Sequence, residues 1–119
     1  MKRMDYSMGY EEHPTVVFEL AKNREKVARL YMWEGDMEDI LERAPRTEMG
    51  WIGLGAPYVE CLLYEDEYKV NNIGDCLLEL KHTDVSELDE TTQEIYREIV
   101  KMFEEAIAIG GEIVIYYDV

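Results

Sequence analysis

The sequence predicts an α+β domain: a mainly antiparallel sheet of four to five strands, N-terminal helices, and a long C-terminal helix packed on one face. Three observations carry this. First, Ile95, Tyr96, Ile99, Val100, Phe103, Ala106 and Ile107 recur at three and four residues through DETTQEIYREIVKMFEEAIA, which is the apolar stripe of a long amphipathic helix. Second, the final segment EIVIYYD is apolar on both faces, the mark of a strand inside a sheet. Third, apolar runs flank the acidic stretch LLYEDEYKV at 62–70 and continue past a turn, as in a meander of strands. At 119 residues the chain is one domain, 1–119, able to bury roughly 65% of the surface its unfolded form exposes.

Taken in order, Met4, Tyr6, Met8 and Tyr10 alternate with Asp5, Ser7, Gly9 and Glu11, which predicts a half-buried strand. His13-Pro14-Thr15 breaks it, with Pro14 suited to the first turn of a helix. From Thr15 to Trp33 a helical stripe runs through Val17, Leu20, Ala21, Val27, Ala28 and Tyr31, interrupted by Arg24. The competing reading makes TVVFEL a strand and starts the helix after an Asn23 cap, because β-branched and aromatic residues favour strands. The single helix is the expectation adopted. Glu34-Gly35-Asp36 then ends it and caps a short helix, MEDILERA, before Pro45.

MGWIGLGAP at 49–57 reads as a glycine-rich loop. YVECLLY and the segment from Glu67 to Asn71 read as strands joined through the acidic tip. A turn at Asn72-Ile73-Gly74-Asp75 leads to CLLELKH as a third strand, with Cys76, Leu78 and Leu80 on one face and Glu79 and Lys81 on the other. Asp89 caps the long helix and Gly110-Gly111 stop it.

Composition limits what such a domain does. The net charge is −15, and it is unevenly placed: residues 1–46 carry 8 basic and 10 acidic side chains, residues 47–119 carry 4 and 17. A strong negative field over one region disfavours nucleic acid and anionic membrane as direct ligands, since both require a basic footprint. It favours a basic protein. No apolar run approaches the ~20 residues of a membrane span, and the N-terminus lacks a signal-peptide core. Cys61 and Cys76 sit in apolar runs and read as buried free thiols, so the expected compartment is the cytoplasm.

No catalytic or metal-binding pattern emerges, and no cofactor is expected. His13 and His82 lack partners at ligand spacing, and the cysteines form no CxxC. Cys61 with His82 as base would need positive surroundings that this half of the chain does not offer. Asp36, Glu38 and Asp39, or Glu104 and Glu105, are acid pairs with no sign of a cleft. GWIGLG lacks the lysine and hydroxyl of a phosphate-binding loop. What remains is acids beside tyrosines. Tyr58, Tyr96 and one of Tyr116 and Tyr117 are expected to fill the core, which leaves Tyr64 and Tyr68 as contact residues. The candidate partner-binding residues are therefore Tyr64, Glu65, Asp66, Glu67 and Tyr68 at the tip, with Asp84, Glu87, Asp89 and Glu90 before the long helix.

EEHP at 11–14, followed by an apolar segment, resembles the start of immunity proteins of bacterial contact-dependent growth-inhibition systems. The small size, acidity and lack of catalytic residues are similar too. That resemblance implies a non-enzymatic inhibitor that covers a basic toxin, often a nuclease, in the place of the phosphate backbone. A phage-type decoy of a DNA-binding enzyme would use the same physics. The alternative class is a structural or regulatory subunit, or a homodimer, whose acidity serves solubility and whose assembly is indifferent to salt. A small enzyme or small-molecule binder would instead show a pocket holding a carboxylate of raised pKa.

Overall fold

β-Branched and aromatic residues at 15–18 and the hydrophobic run at 27–33 set the centre of the fold, and they do so as strands. The computed structural model describes residues 1–10, 12–44, 46–47, 50–51 and 67–118. Its elements are β1 (Lys2–Tyr6), β2 (Thr15–Lys22), β3 (Glu25–Trp33), α1 (Glu34–Glu42), β4 (Arg46–Thr47), β5 (Gly50–Trp51), β6 (Glu67–Lys69), α2 (Ile73–Lys81), α3 (Glu90–Ile109) and β7 (Glu112–Asp118). The main sheet has five strands in the order β1-β3-β2-β7-β6. Three of its pairings are antiparallel, and β1 lies parallel to β3, so the sheet is mixed.

The region 15–33 is therefore a hairpin and not a helix, and the competing reading is right only for TVVFEL. The turn is two residues, Asn23 and Arg24, at φ 51° and 69°. Positive φ at both positions matches the right-handed twist of the flanking strands, at a cost of about 1 kcal/mol or more for Arg24. Val16, Phe18 and Leu20 point to the helical side while Val17 and Glu19 point away, so the supposed helical stripe mixes two faces of a strand. Pro14 enters a strand, and its carbonyl accepts from the Glu34 amide at 3.0 Å. The first strand ends at Tyr6; beyond it Met8 is exposed, and the Tyr10 ring stacks on Trp33 at 4.6 Å.

The short helix is present but starts at Glu34, directly off β3. CLLELKH is helical too, as part of α2, which overturns the meander. Cys76, Leu77 and Leu80 face the core, Leu78 is 58% exposed, and Glu79 is 2% exposed. That is helical spacing; the alternation of Cys76, Leu78 and Leu80 is accidental. Within 49–57, Gly50–Trp51 pairs with Arg46–Thr47, while the rest of that loop and the strand expected at 58–64 lie outside the described residues.

The C-terminal helix holds as expected. Asp89 Oδ1 accepts from the Thr92 amide at 2.7 Å, and Gly110 closes the helix at φ 68°. Ile95, Ile99, Met102, Phe103 and Ala106 are buried against the sheet, whereas Ile107 is 53% exposed. β7 lies between β2 and β6, inside the sheet as expected. α3 begins beside α1, where the Thr92 hydroxyl bonds Asp36, and ends where Gly111 lies close against the Ala21 carbonyl. It thus runs from the α1 end of the sheet to the β2–β3 turn. The described chain contains no helix long and apolar enough to cross a membrane.

Candidate protein-binding surface

Strand register places the acids. Thr15 pairs with both Trp33 and Asp118, which defines one end of the sheet, and α1 leaves from that end. Glu67, opposite Tyr116, lies toward the same end on β6. The loop before α3 arrives there as well. Gln93 Nε2 donates to the carbonyls of Ser86 and Leu88 at 3.3 and 2.9 Å, and Arg43 Nη1 donates to Glu87 Oε2 at 3.1 Å. The opposite end carries Lys22, Arg24 and Lys26 with Glu25 around the β2–β3 turn, Glu112 opposite Ala21, and Lys2 in register with Ala28, a net positive set.

The predicted residues fall into distinct roles. Tyr64, Glu65 and Asp66 lie outside the described residues. Glu67 is exposed, whereas Tyr68 is half-buried against the core. Asp84 Oδ1 accepts from the Ser86 amide at 3.0 Å, and hydrogen bonds from the Ser86 hydroxyl first, then its amide, hold the carboxyl below the usual range. Asp89 is likewise lowered by its bond from the Thr92 amide. These two acids fix their own turns, and both residues are exposed. Glu87 is bound to Arg43, and Glu90 is exposed in the first turn of α3. His82 stands at the end of a helix, not of a strand, with Nδ1 2.8 Å from the Leu78 carbonyl.

Tyr96, Tyr116 and Tyr117 sort as expected, whereas Tyr68, expected as a contact residue, packs partly against the core. Tyr96 is half-buried and donates to the Leu80 carbonyl, and Tyr117 packs on the core. Tyr116 points to the other face of the sheet, where its hydroxyl donates to Glu19 at 3.3 Å.

The sequence reading missed α1 as the partner of the 84–90 loop. Glu34, Glu38 and Glu42 follow each other at four-residue spacing, with Asp39 beside them. Glu38 is held above the usual carboxylate range because it shares a hydrogen bond with Glu34, and because of partial burial and the charges of Glu34, Glu42 and Asp39. Asp36, 7% exposed, is raised by burial; the Thr92 hydroxyl at 3.3 Å offsets part of this, and Asp89 and Asp39 add to it. Across residues 34–44 and 83–90, Arg43 is the one cation. The signal was available in the sequence as helical spacing of the three glutamates. Their meeting with 84–90 is a tertiary fact.

Among the described residues, an open groove of about 230 Å³ along α3 is lined by Tyr96, Arg97, Val100, Lys101 and Glu104, and neither Asp36 nor Glu38 borders it. No group of three metal-ligating side chains converges among the described residues. Burial, with Glu79 and Asp75 nearby, pushes the Cys76 thiol up to about 12. Comparison with protein-family models, curated proteins and solved structures yields no match.

Proposed function

We propose that this protein is a non-enzymatic, acidic inhibitor, of the immunity-protein type, that binds a basic protein in the cytoplasm and neutralises it, with a nuclease toxin as the favoured partner. The observation that carries the reading is the crowding of Glu34, Glu38, Asp39 and Glu42 with Asp84, Glu87, Asp89 and Glu90 at one end of the fold, with Arg43 alone among them. Like charges held close repel, and a partner's lysines or arginines would relieve that repulsion on binding. Glu67 lies toward the same sheet end and adds a further exposed acid. Charge of this kind mainly speeds and orients association, and its effect fades beyond ~8 Å in physiological salt.

The test is capture of a partner from native lysate at ~50 and ~500 mM salt, followed by assay of the captured protein for nuclease activity with and without this chain. Stoichiometric loss of that activity is the expected result. Replacing Glu34, Glu38 and Glu42 together by glutamine should weaken binding at least ~10-fold and flatten its salt dependence, with the circular dichroism spectrum unchanged. Full affinity in that folded variant would move the contact away from α1. The triple change of Glu65, Asp66 and Glu67 to serine asks the same of the tip.

A further inference from the structure

Among the described residues, the edge strand β1 pairs only with β3, which leaves its other side as an open edge of the sheet. Open edges are templates for another strand, and proteins often guard them with charged residues. Here the charges are of both signs and regularly placed: Arg3 and Asp5 share the face away from the helices, and Met4 points toward them. Arg3 is held in place, its guanidinium 4.4 Å above the Tyr31 ring and 3.5 Å from Asp5.

We infer that β1 is the interface of a symmetric homodimer, in which two copies pair antiparallel through this strand to form one continuous ten-stranded sheet. With Met4 opposite Met4 of the second copy, each Arg3 stands across from an Asp5, so the guard charges become attractive in this register and repulsive in most others. Lys2 of each copy then falls opposite Tyr6 of the other, a residue that lies beside Glu94 and Glu98 of α3. Met4 borders a cleft of about 20 Å³ between β1 and α3, which the second Met4 would cover. The polarity of the sheet agrees with this arrangement. Antiparallel pairing sets the acidic end of one copy beside the Lys22–Lys26 end of the other, whereas parallel pairing would set acid beside acid. This dimer stands independently of the basic partner, and failure to capture one leaves it untouched.

The test is sedimentation equilibrium on the whole chain. A dimer populated at about 100 µM or below is expected, since at that concentration a Kd of ~10 µM gives mostly dimer. Arg3→Asp and Asp5→Arg should each weaken dimerisation at least ~10-fold, and the double exchange, Arg3→Asp with Asp5→Arg, should restore it. Asp5 also accepts from the Ser7 amide at 2.8 Å, so Arg3→Asp, which leaves that turn intact, is the decisive single change. A wild-type monomer at about 100 µM overturns the inference. So does an undiminished Arg3→Asp dimer, or a natively folded double exchange that stays monomeric.

Discussion

Glu19 and Asp36 are buried to nearly the same degree, 5% and 7% exposed, yet their surroundings are opposite. Glu19 lies on the sheet face away from the helices, where Lys26 Nζ approaches at 2.6 Å, Arg29 Nε at 2.7 Å, and the Tyr116 hydroxyl at 3.3 Å. Burial alone would raise its pKa, but the hydrogen bonds and charges of Lys26 and Arg29 outweigh it, and the carboxyl ends below its usual range. Asp36 is buried where α1 meets α3, with a neutral threonine for a partner and Asp89 and Asp39 for neighbours, and it ends above. Burial therefore does not decide the sign of the shift; the neighbours do. One region uses a carboxylate to bind the fold together. The other keeps a carboxylate at a cost, in the same place where the surface acids crowd.

The difference can be broken first at Glu19. Glu19→Gln removes two short ion pairs, and because Lys26 and Arg29 are partly exposed and can hydrate, the expected loss at pH 7 is about 2 kcal/mol, read from urea midpoints. A depressed folded pKa contributes stability that is complete above the unfolded value near ~4.3 and lost as pH falls through the folded one. The gap between wild type and Glu19→Gln should therefore close at low pH.

Asp36→Asn should do the reverse. It keeps an acceptor for the Thr92 hydroxyl and removes a strained charge, so the variant gains about 1 kcal/mol at pH 7, seen as a rise in Tm of roughly 3–6 °C. That gain should fade as pH falls through the raised pKa of Asp36, and vanish below ~3.9, where both states of the wild type are protonated. Asp89→Ala deletes a helix cap but also a repulsive neighbour of Asp36, so its net cost should be about 0.5–1 kcal/mol, at the low end for a cap. Smallest is Glu38→Gln on α1, a gain of about 0.3 kcal/mol from relieved i,i+4 repulsion, measurable as a slight rise in Tm that salt removes.

The elements that could be read from the sequence were those with one buried face and enough length. α3, with five turns, a side-chain cap and a left-handed glycine, declared itself through periodicity, and β7 through apolar residues on both faces. The β2–β3 hairpin did not. Both faces of its strands are buried at Val16, Val17 and Phe18, so alternation is absent, and its turn uses Asn23-Arg24 in place of a glycine that would have announced it. α2 is nine residues long, too short for a helical period to be told from an alternation when Leu78 is exposed and Glu79 buried. The acids of the candidate surface were visible as composition, and α1 as a short helix. Neither told that α1 and 84–90 share one end of the sheet, because that depends on β3 being a strand and delivering α1 there.

Cys76 has a practical consequence. Its sulfur is enclosed by the core beneath α2, and its pKa of about 12 leaves on the order of one molecule in 10⁵ as thiolate at pH 7. Alkylation of that sulfur in the native protein must wait for α2 to lift away. The rate at which a mass-shifted Cys76 peptide accumulates is thus a clock for local opening, carried by the natural chain without a probe added to it.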